Sequence, residues 1–241
     1  MGQPDHHWDL RRIKGCRDHP QSEVHLPSPL TQRVRVATML NDETGIFRDL
    51  SAHVDAVQKT VAESATIIAE IVARLCDCFE RGGKLLIVGN GGSAADAQHL
   101  AAEFMNRMRV DRQAWPAIAL TTDTSVLTSI ANDSDFRDVF ARQVEALGRP
   151  GDLLVAISTS GASPNILAAM KSARERMMVV VGFTGELGAA RIGSHCDLLL
   201  AVPTNDTARV QECHEFVYHE ISAMVERELL HRGVSGPPDA A

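Results

Sequence analysis

The spacing of apolar positions changes character once along the chain, near Gly82-Gly83. From about Asn41 to Arg81, Ile46, Leu50, Val54, Val57, Val61, Ala65, Ile68, Val72, Leu75 and Phe79 recur at steps of three and four. That period marks one apolar stripe on a long helix, which the two glycines stop. The stripe is longer than one small sheet can cover, so part of it is expected to pack against another subunit. After Gly83 the apolar residues come in short runs: Lys84–Val88, Ala117–Leu120, Leu153–Ile157, Met178–Phe183 and Leu198–Val202. Such runs suit parallel strands with helices covering both faces. Helical patterns separate them at Ala94–Arg107, Ser125–Ala131 with Phe136–Leu147, and Pro164–Arg176, and a last helix is expected over roughly Thr207–Leu230. Alternation of this kind predicts an α/β fold, an open parallel sheet with right-handed crossovers. Ligands in these folds bind beyond the C-terminal ends of the strands, so chemistry belongs at the strand-to-helix turns.

The ends of the chain follow neither period. Residues 1–33 carry Pro4, Pro20, Pro27 and Pro29 and read as an irregular extension that adds little to the core. Residues 34–232 read as a single domain including the N-terminal helical region, and 233–241 as a frayed tail. The 241 residues are enough for one such domain with a sizeable core. The net charge of −7 and the aromatic content of 4% argue against a nucleic-acid surface, and the charge also against anionic lipid. Cys16, Cys76, Cys78, Cys196 and Cys213 are odd in number and irregularly spaced, which suits free thiols in a reducing cytoplasm better than a disulfide framework. No apolar run approaches a membrane span, and the start of the chain, with Asp5, His6, His7 and Trp8, has no apolar signal core.

Two turns stand out chemically. The first strand runs into Gly89-Asn90-Gly91-Gly92-Ser93 and then a helix. Glycines there let the backbone approach a ligand closely, Ser93 suits the N-cap, and a helix N-terminus favours anions or polar oxygens. The stretch contains neither G-x-G-x-x-G nor G-K-[ST], so it is neither a dinucleotide fingerprint nor a Walker loop. The third strand runs into Ser158-Thr159-Ser160-Gly161-Ala162-Ser163-Pro164, four hydroxyls within six residues ahead of a helix that can begin at Pro164. Hydroxyls and free N–H groups at such a point make a phosphate cradle without a lysine. His99 and Glu103 sit four apart on the first crossover helix, on one face. At that spacing they can hold a metal, act as an acid/base pair, or form a surface pair.

The run Gly89-Asn-Gly-Gly-Ser-Ala-Ala-Asp-Ala-Gln-His99-Leu-Ala-Ala-Glu103-Phe, with Ser158-Thr-Ser-Gly-Ala-Ser-Pro-Asn165, resembles the sugar-isomerase (SIS) domain family and its sedoheptulose-7-phosphate isomerase branch. Leu120-Thr-Thr-Asp-Thr-Ser125, Ala131-Asn-Asp133 and Arg209-Val-Gln211-Glu-Cys-His214 extend the resemblance, which covers roughly residues 45–232. It implies a doubly wound, flavodoxin-like five-stranded parallel sheet with a long N-terminal helical region. It implies an aldose–ketose isomerase converting sedoheptulose 7-phosphate to D-glycero-D-manno-heptose 7-phosphate, in heptose biosynthesis. It implies one zinc per subunit on His99, Glu103, Gln211 and His219, with Glu103 and His219 catalytic. Asn90, Gly91, Gly92, Ser93, Asn132, Asp133, Ser158, Thr159, Ser160, Ser163 and Gln211 are the expected substrate and phosphate contacts.

Gln211 and His219 are eight apart on the last helix. That is about 12 Å of rise, so one metal between them needs side chains that lean inward. Arg107 can meet an anion or make a surface ion pair, and His195 and His214 read as surface or structural residues. The remaining expectations are a homotetramer in the cytoplasm with a small sugar phosphate as partner, and neither nucleic acid nor membrane. The alternative is a non-enzymatic SIS-domain protein that binds a sugar phosphate or a protein as a regulator. The joint presence of His99, Glu103, Gln211 and His219 favours the enzyme, because a binding module has no chemical need of that set.

Overall fold

The computed structural model describes residues 43–234. Residues 1–33, the expected start of the domain at 34 and residues 235–241 of the expected tail lie outside the described residues. The chain divides into two units at Ile46/Phe47. Of the first, Glu43–Ile46 is described, the opening turn of helix α1 (Glu43–Glu80). The strands and the other helices belong to the second.

α1 ends as its glycines require. Gly82 has φ +72°, its N–H donates to Phe79 O at 3.0 Å, and Gly83 N–H donates to Cys78 O at 2.9 Å. The apolar stripe of this helix is two surfaces rather than one. Ile68, Val72, Leu75 and Phe79 are buried in the core, whereas Leu50, Val54 and Val61 are 53%, 44% and 40% exposed.

Five strands follow: β1 (Leu85–Val88), β2 (Ala117–Ala119), β3 (Leu153–Ile157), β4 (Val179–Gly185) and β5 (Leu198–Val202). All neighbours pair in parallel, in the order β2-β1-β3-β4-β5. The connections are α2 (Gly92–Met105), then α3 (Thr124–Asp133) with α4 (Ala141–Leu147), then α5 (Pro164–Glu175) and α6 (Glu186–Ile192); α7 (Thr207–His231) follows β5. The pleat sends alternate residues to opposite faces. Leu85, Ile87, Val155 and Phe183 join α1, α2 and α7 in one core; Leu86, Val88, Leu154 and Val180 join α4 and α5 in the other. With both faces covered, the strands are apolar at nearly every position, as the short runs predict.

Two elements depart from expectation. The helix expected over Phe136–Leu147 splits, because the Asp135 carboxylate accepts from Arg137 N–H at 2.6 Å and starts a separate 3-10 turn at Phe136–Asp138. Helix α6 was not expected. Gly188, inside it, lowers its helical propensity and hides it. Gly188 is there for space, since a Cβ would lie 1.8 Å from Thr184 Oγ1.

β1 and β3 are adjacent, and the chain leaves them toward opposite faces of the sheet. This is the topological switch point, where a crevice opens at the strand ends. The turns 89–93 and 158–163 are the two that meet there. Among the described residues, no helix is long and apolar enough to cross a membrane.

Candidate functional site

The turn after β1 is made by Gly91, at φ +56°, which is the N-cap of α2 without any side-chain cap bond. Ser93 is not the N-cap the sequence suggested. It lies buried within the first turn, because the helix begins at Gly92. The turn leaves N-terminal amides of α2 without a side-chain partner, the arrangement that receives anions or polar oxygens.

The turn after β3 is held from behind. Gly161, at φ +64°, packs so closely on α6 that a Cβ would lie 2.7 Å from Gly188 Cα. Arg191 Nη1 donates to Ser160 O at 2.7 Å, and Gly185 N–H donates to Thr159 O at 3.0 Å. These bonds use the backbone and leave the hydroxyl groups for other work. Ser158 Oγ and Ser163 Oγ are 3.4 Å apart, and Ser160 Oγ accepts from Ala162 N–H at 3.3 Å. Ser163 is the N-cap of α5 and Pro164 opens the helix, as expected. Asn90, at the first turn, and Asn165, on α5, exchange two side-chain hydrogen bonds of 2.9 Å.

The third part of the site is the seam where α2 lies beside α7, running the same way. The apolar face of α2, with Ala97, Leu100, Ala101 and Phe104, goes onto the sheet. Its polar edge, Asp96, His99 and Glu103, recurs at steps of three and four toward α7. Contacts along the seam keep chain order. Gln211 meets Gly92 and Asp96; Tyr218 and His219 meet His99; Glu226 meets residues 108–112.

His99, Glu103 and His219 converge, each offering one ligand atom within 4.8 Å of the others. His99 Nε2 is 3.1 Å from Glu103 Oε1 and 3.3 Å from His219 Nε2, and Tyr218 Oη is 3.0 Å from His99 Nδ1. Two imidazole nitrogens and a carboxylate oxygen facing one another repel unless a proton or a cation lies among them. The set therefore fits a cation, and its N and O donors suit zinc. Gln211 lies further toward the start of α7. Its Nε2 donates to Asp96 Oδ1 at 3.3 Å, and its amide lies flat on Gly92, where a Cβ would be 2.4 Å from Oε1. Asp96 is buried with Oδ2 unpartnered, and burial pushes its carboxyl above the ordinary value against the pull of Gln211.

Below the His99 cluster the seam is locked. Glu226 and Arg112, both side chains 2% exposed, form an ion pair with Arg112 Nε 3.1 Å from Glu226 Oε2. The same carboxylate accepts from the N–H groups of Met108, Arg109 and Val110 at 3.1, 2.9 and 3.0 Å. Arg112 also donates to Glu103 O at 2.8 Å and to Phe104 O at 3.0 Å, and stacks 3.6 Å over Trp115. Burial lowers the guanidinium pKa, while Glu226 opposes that shift. The end of α2 that carries Glu103 is thus fastened to the helix that carries His219.

The other candidates stand apart from these groups. Asn132 and Asp133 close α3, exposed and hydrogen-bonded to each other at 2.8 Å. Arg107 is exposed just past the end of α2. His214 is structural: it is fully buried, its Nε2 lies 3.3 Å from Thr184 O, and burial brings its pKa down to about 4. Sequence reasoning did not single out Asp96, Arg112, Tyr218 or Glu226. Asp96 had a signal, being three residues before His99 on the same helix edge, and Tyr218 adjoins His219. Arg112 and Glu226 are 114 residues apart and had none.

A family model described as SIS domain matches residues 49–185. A phosphoheptose isomerase of Roseiflexus sp. (strain RS-1) is 53% identical over 184 residues, which are 76% of this chain and 93% of that protein. A phosphoheptose isomerase of Desulfovibrio desulfuricans is 56% identical over 168 residues, 70% of this chain and 80% of that protein. The solved phosphoheptose isomerase of Neisseria gonorrhoeae superposes with a TM-score of 0.72 at 41% identity, covering 77% of this chain and 98% of that one.

Proposed function

The chain belongs to the SIS-domain family, in its phosphoheptose isomerase branch, and from that membership we propose that it is an aldose–ketose isomerase converting sedoheptulose 7-phosphate to D-glycero-D-manno-heptose 7-phosphate through an enediol. The observation that carries the reading is the convergence of His99, Glu103 and His219 where α7 lies beside the helix that starts at the switch point.

The reaction moves one proton between C1 and C2 and another between their oxygens. Glu103 takes the proton from C1 of the ketose and returns it to C2, its carboxylate lying 3.1 Å from His99 Nε2 on a helix end that Arg112 anchors. His219 serves the oxygens as acid and base. His99, Glu103 and His219 would hold zinc, with Gln211 as the remaining ligand. Bound there, zinc would polarise the sugar carbonyl and stabilise negative charge on its oxygen. Ser158, Thr159, Ser160 and Ser163 hold the phosphate, and Asn90, Gly91, Gly92 and Ser93 meet the sugar across the Asn90–Asn165 bridge. Asn132 and Asp133 contact hydroxyls further along it. Binding at the remote phosphate orients the reacting end. The four described cysteines are free thiols, which fits a cytoplasmic enzyme. The exposed apolar residues of α1 fit a homotetramer.

The test follows the sugar phosphate by NMR in deuterium oxide with zinc-loaded protein. Product should form with deuterium at C2. Glu103→Gln, with zinc content matched, should lower turnover by at least ~10²-fold, the low end for a positioned base. A wild-type protein that binds the sugar phosphate but never exchanges its C1 or C2 proton is a sugar-phosphate-binding regulator instead.

A further inference from the structure

The His99 ring is contacted at both nitrogens. Nε2 faces Glu103 and His219, and Nδ1 lies 3.0 Å from Tyr218 Oη. The His99 side chain is 43% exposed, so packing alone does not stop the ring from turning over and exchanging its two nitrogens. Tyr218 by contrast is 1% exposed and fixed in the seam. Its ring stands edge-on to both imidazoles, at 5.5 Å and 75° from His99 and 4.9 Å and 68° from His219.

We propose that Tyr218 is a positioning residue for His99, its hydroxyl holding the imidazole so that Nε2 is the nitrogen presented to Glu103 and His219. A hydroxyl is suited to this because it both donates and accepts. When the ring proton is on Nε2, facing Glu103 and His219, the Tyr218 hydroxyl donates to Nδ1. When Nε2 offers its lone pair to a cation, the ring proton sits on Nδ1 and the Tyr218 oxygen accepts it. One group thereby serves both forms of the ring without moving. Glu215 is the other polar group facing Nδ1, but its Oε1 is 3.9 Å away, beyond hydrogen-bond reach, on a side chain 49% exposed.

The inference rests on the zinc reading for its largest effect, because a partner on the second ring nitrogen is what orients a metal-binding histidine. Tyr218→Phe keeps the ring packing and removes only the hydroxyl. Zinc affinity, measured by competition with a chromophoric chelator, should weaken about 10–100-fold. Glu215→Gln should leave it nearly unchanged, and the melting temperature of metal-free Tyr218→Phe should stay close to wild type. In metal-free wild-type protein, nuclear Overhauser contacts of the His99 ring protons should report one ring orientation; Tyr218→Phe should show both. Wild-type protein that binds no zinc would sink the metal reading alone, and the NMR comparison would still decide the role of Tyr218. Equal zinc affinity with an unchanged His99 spectrum in Tyr218→Phe overturns the inference. So does a wild-type His99 whose ring already populates both orientations.

Discussion

Asn90 and Asn165 each donate a side-chain N–H to the other's carbonyl oxygen, both at 2.9 Å, and so join the turn after β1 to the helix after β3. Paired amides of this kind satisfy one donor and one acceptor on each side and fix both orientations. Asn165 Oδ1 also accepts from Ile166 N–H at 3.0 Å, and the residue is 2% exposed. The bridge therefore sets the separation of the glycine-rich turn from the hydroxyl-rich one, the two turns proposed to hold the sugar and the phosphate.

Asn165→Asp tests this. The substitution keeps the shape but replaces an N–H₂ by a carboxylate oxygen that faces Asn90 Oδ1. Losing the bond in a buried site should cost about 1–3 kcal/mol in urea denaturation. The Michaelis constant for the sugar phosphate should rise more than turnover falls, since the bridge shapes binding rather than proton transfer. An unchanged Michaelis constant would separate the bridge from substrate binding.

Glu226→Gln should be costly for a different reason. It leaves Arg112 charged in a site where both side chains are 2% exposed. Breaking a buried pair from one side costs about 3–5 kcal/mol. The double replacement Arg112→Met with Glu226→Leu removes the stranded charge, yet leaves the N–H groups of Met108, Arg109 and Val110 without their acceptor. Recovery in the double variant should accordingly be partial. Full recovery in a denaturation series would mean that those three amides find partners elsewhere.

These two predictions also mark what sequence can and cannot convey. The strands were legible because burial on both faces makes every position apolar, as at Leu85-Leu86-Ile87-Val88. His99 and Glu103 were legible because helix periodicity alone puts them on one edge. The seam was not. Whether Gln211 meets Asp96 or the His99 cluster depends on the relative direction and offset of two helices more than a hundred residues apart, which no local pattern encodes. Helix α6 was hidden by Gly188, a glycine required for close approach to Thr184 and Gly161. The apolar stripe of α1 was read correctly as periodic, but periodicity does not tell Leu75, in the core, from Leu50, on the surface.

His214 should weaken the fold in acid. Folded, its pKa lies at about 4 because it is buried; unfolded, it returns to about 6.5. Above about pH 7.5 the side chain is neutral in both states and adds no pH dependence. As pH falls from 6.5 toward 4, the unfolded chain takes up a proton that the folded chain refuses, and stability drops. The loss should be about 2 kcal/mol between pH 7.5 and 5, levelling near roughly 3 kcal/mol below pH 4. Denaturation of His214→Gln across the same range should lack this component. A variant with the wild-type acid slope would assign the loss to other groups.

The first half of α1 carries the last prediction. Phe47, Leu50, Val54 and Val61 are 64%, 53%, 44% and 40% exposed, at spacings that put them along one side of the helix. A soluble surface does not present a row of large apolar side chains without a use for it. The opposite side of the same helix is already committed, with Ala56 packed against Val202, Val210 and Cys213, and the Thr60 hydroxyl bonded to Ala56 O. In the proposed homotetramer this row packs against another copy of the chain. Light scattering at micromolar concentration should give the tetramer mass for wild type. Leu50→Glu with Val54→Lys places two charges in that row and touches nothing in the core, so each chain should stay folded while the assembly falls to dimers or monomers. If the double variant keeps the tetramer mass, α1 is not in the interface. If wild type is itself a monomer, the row has another partner and the tetramer is wrong.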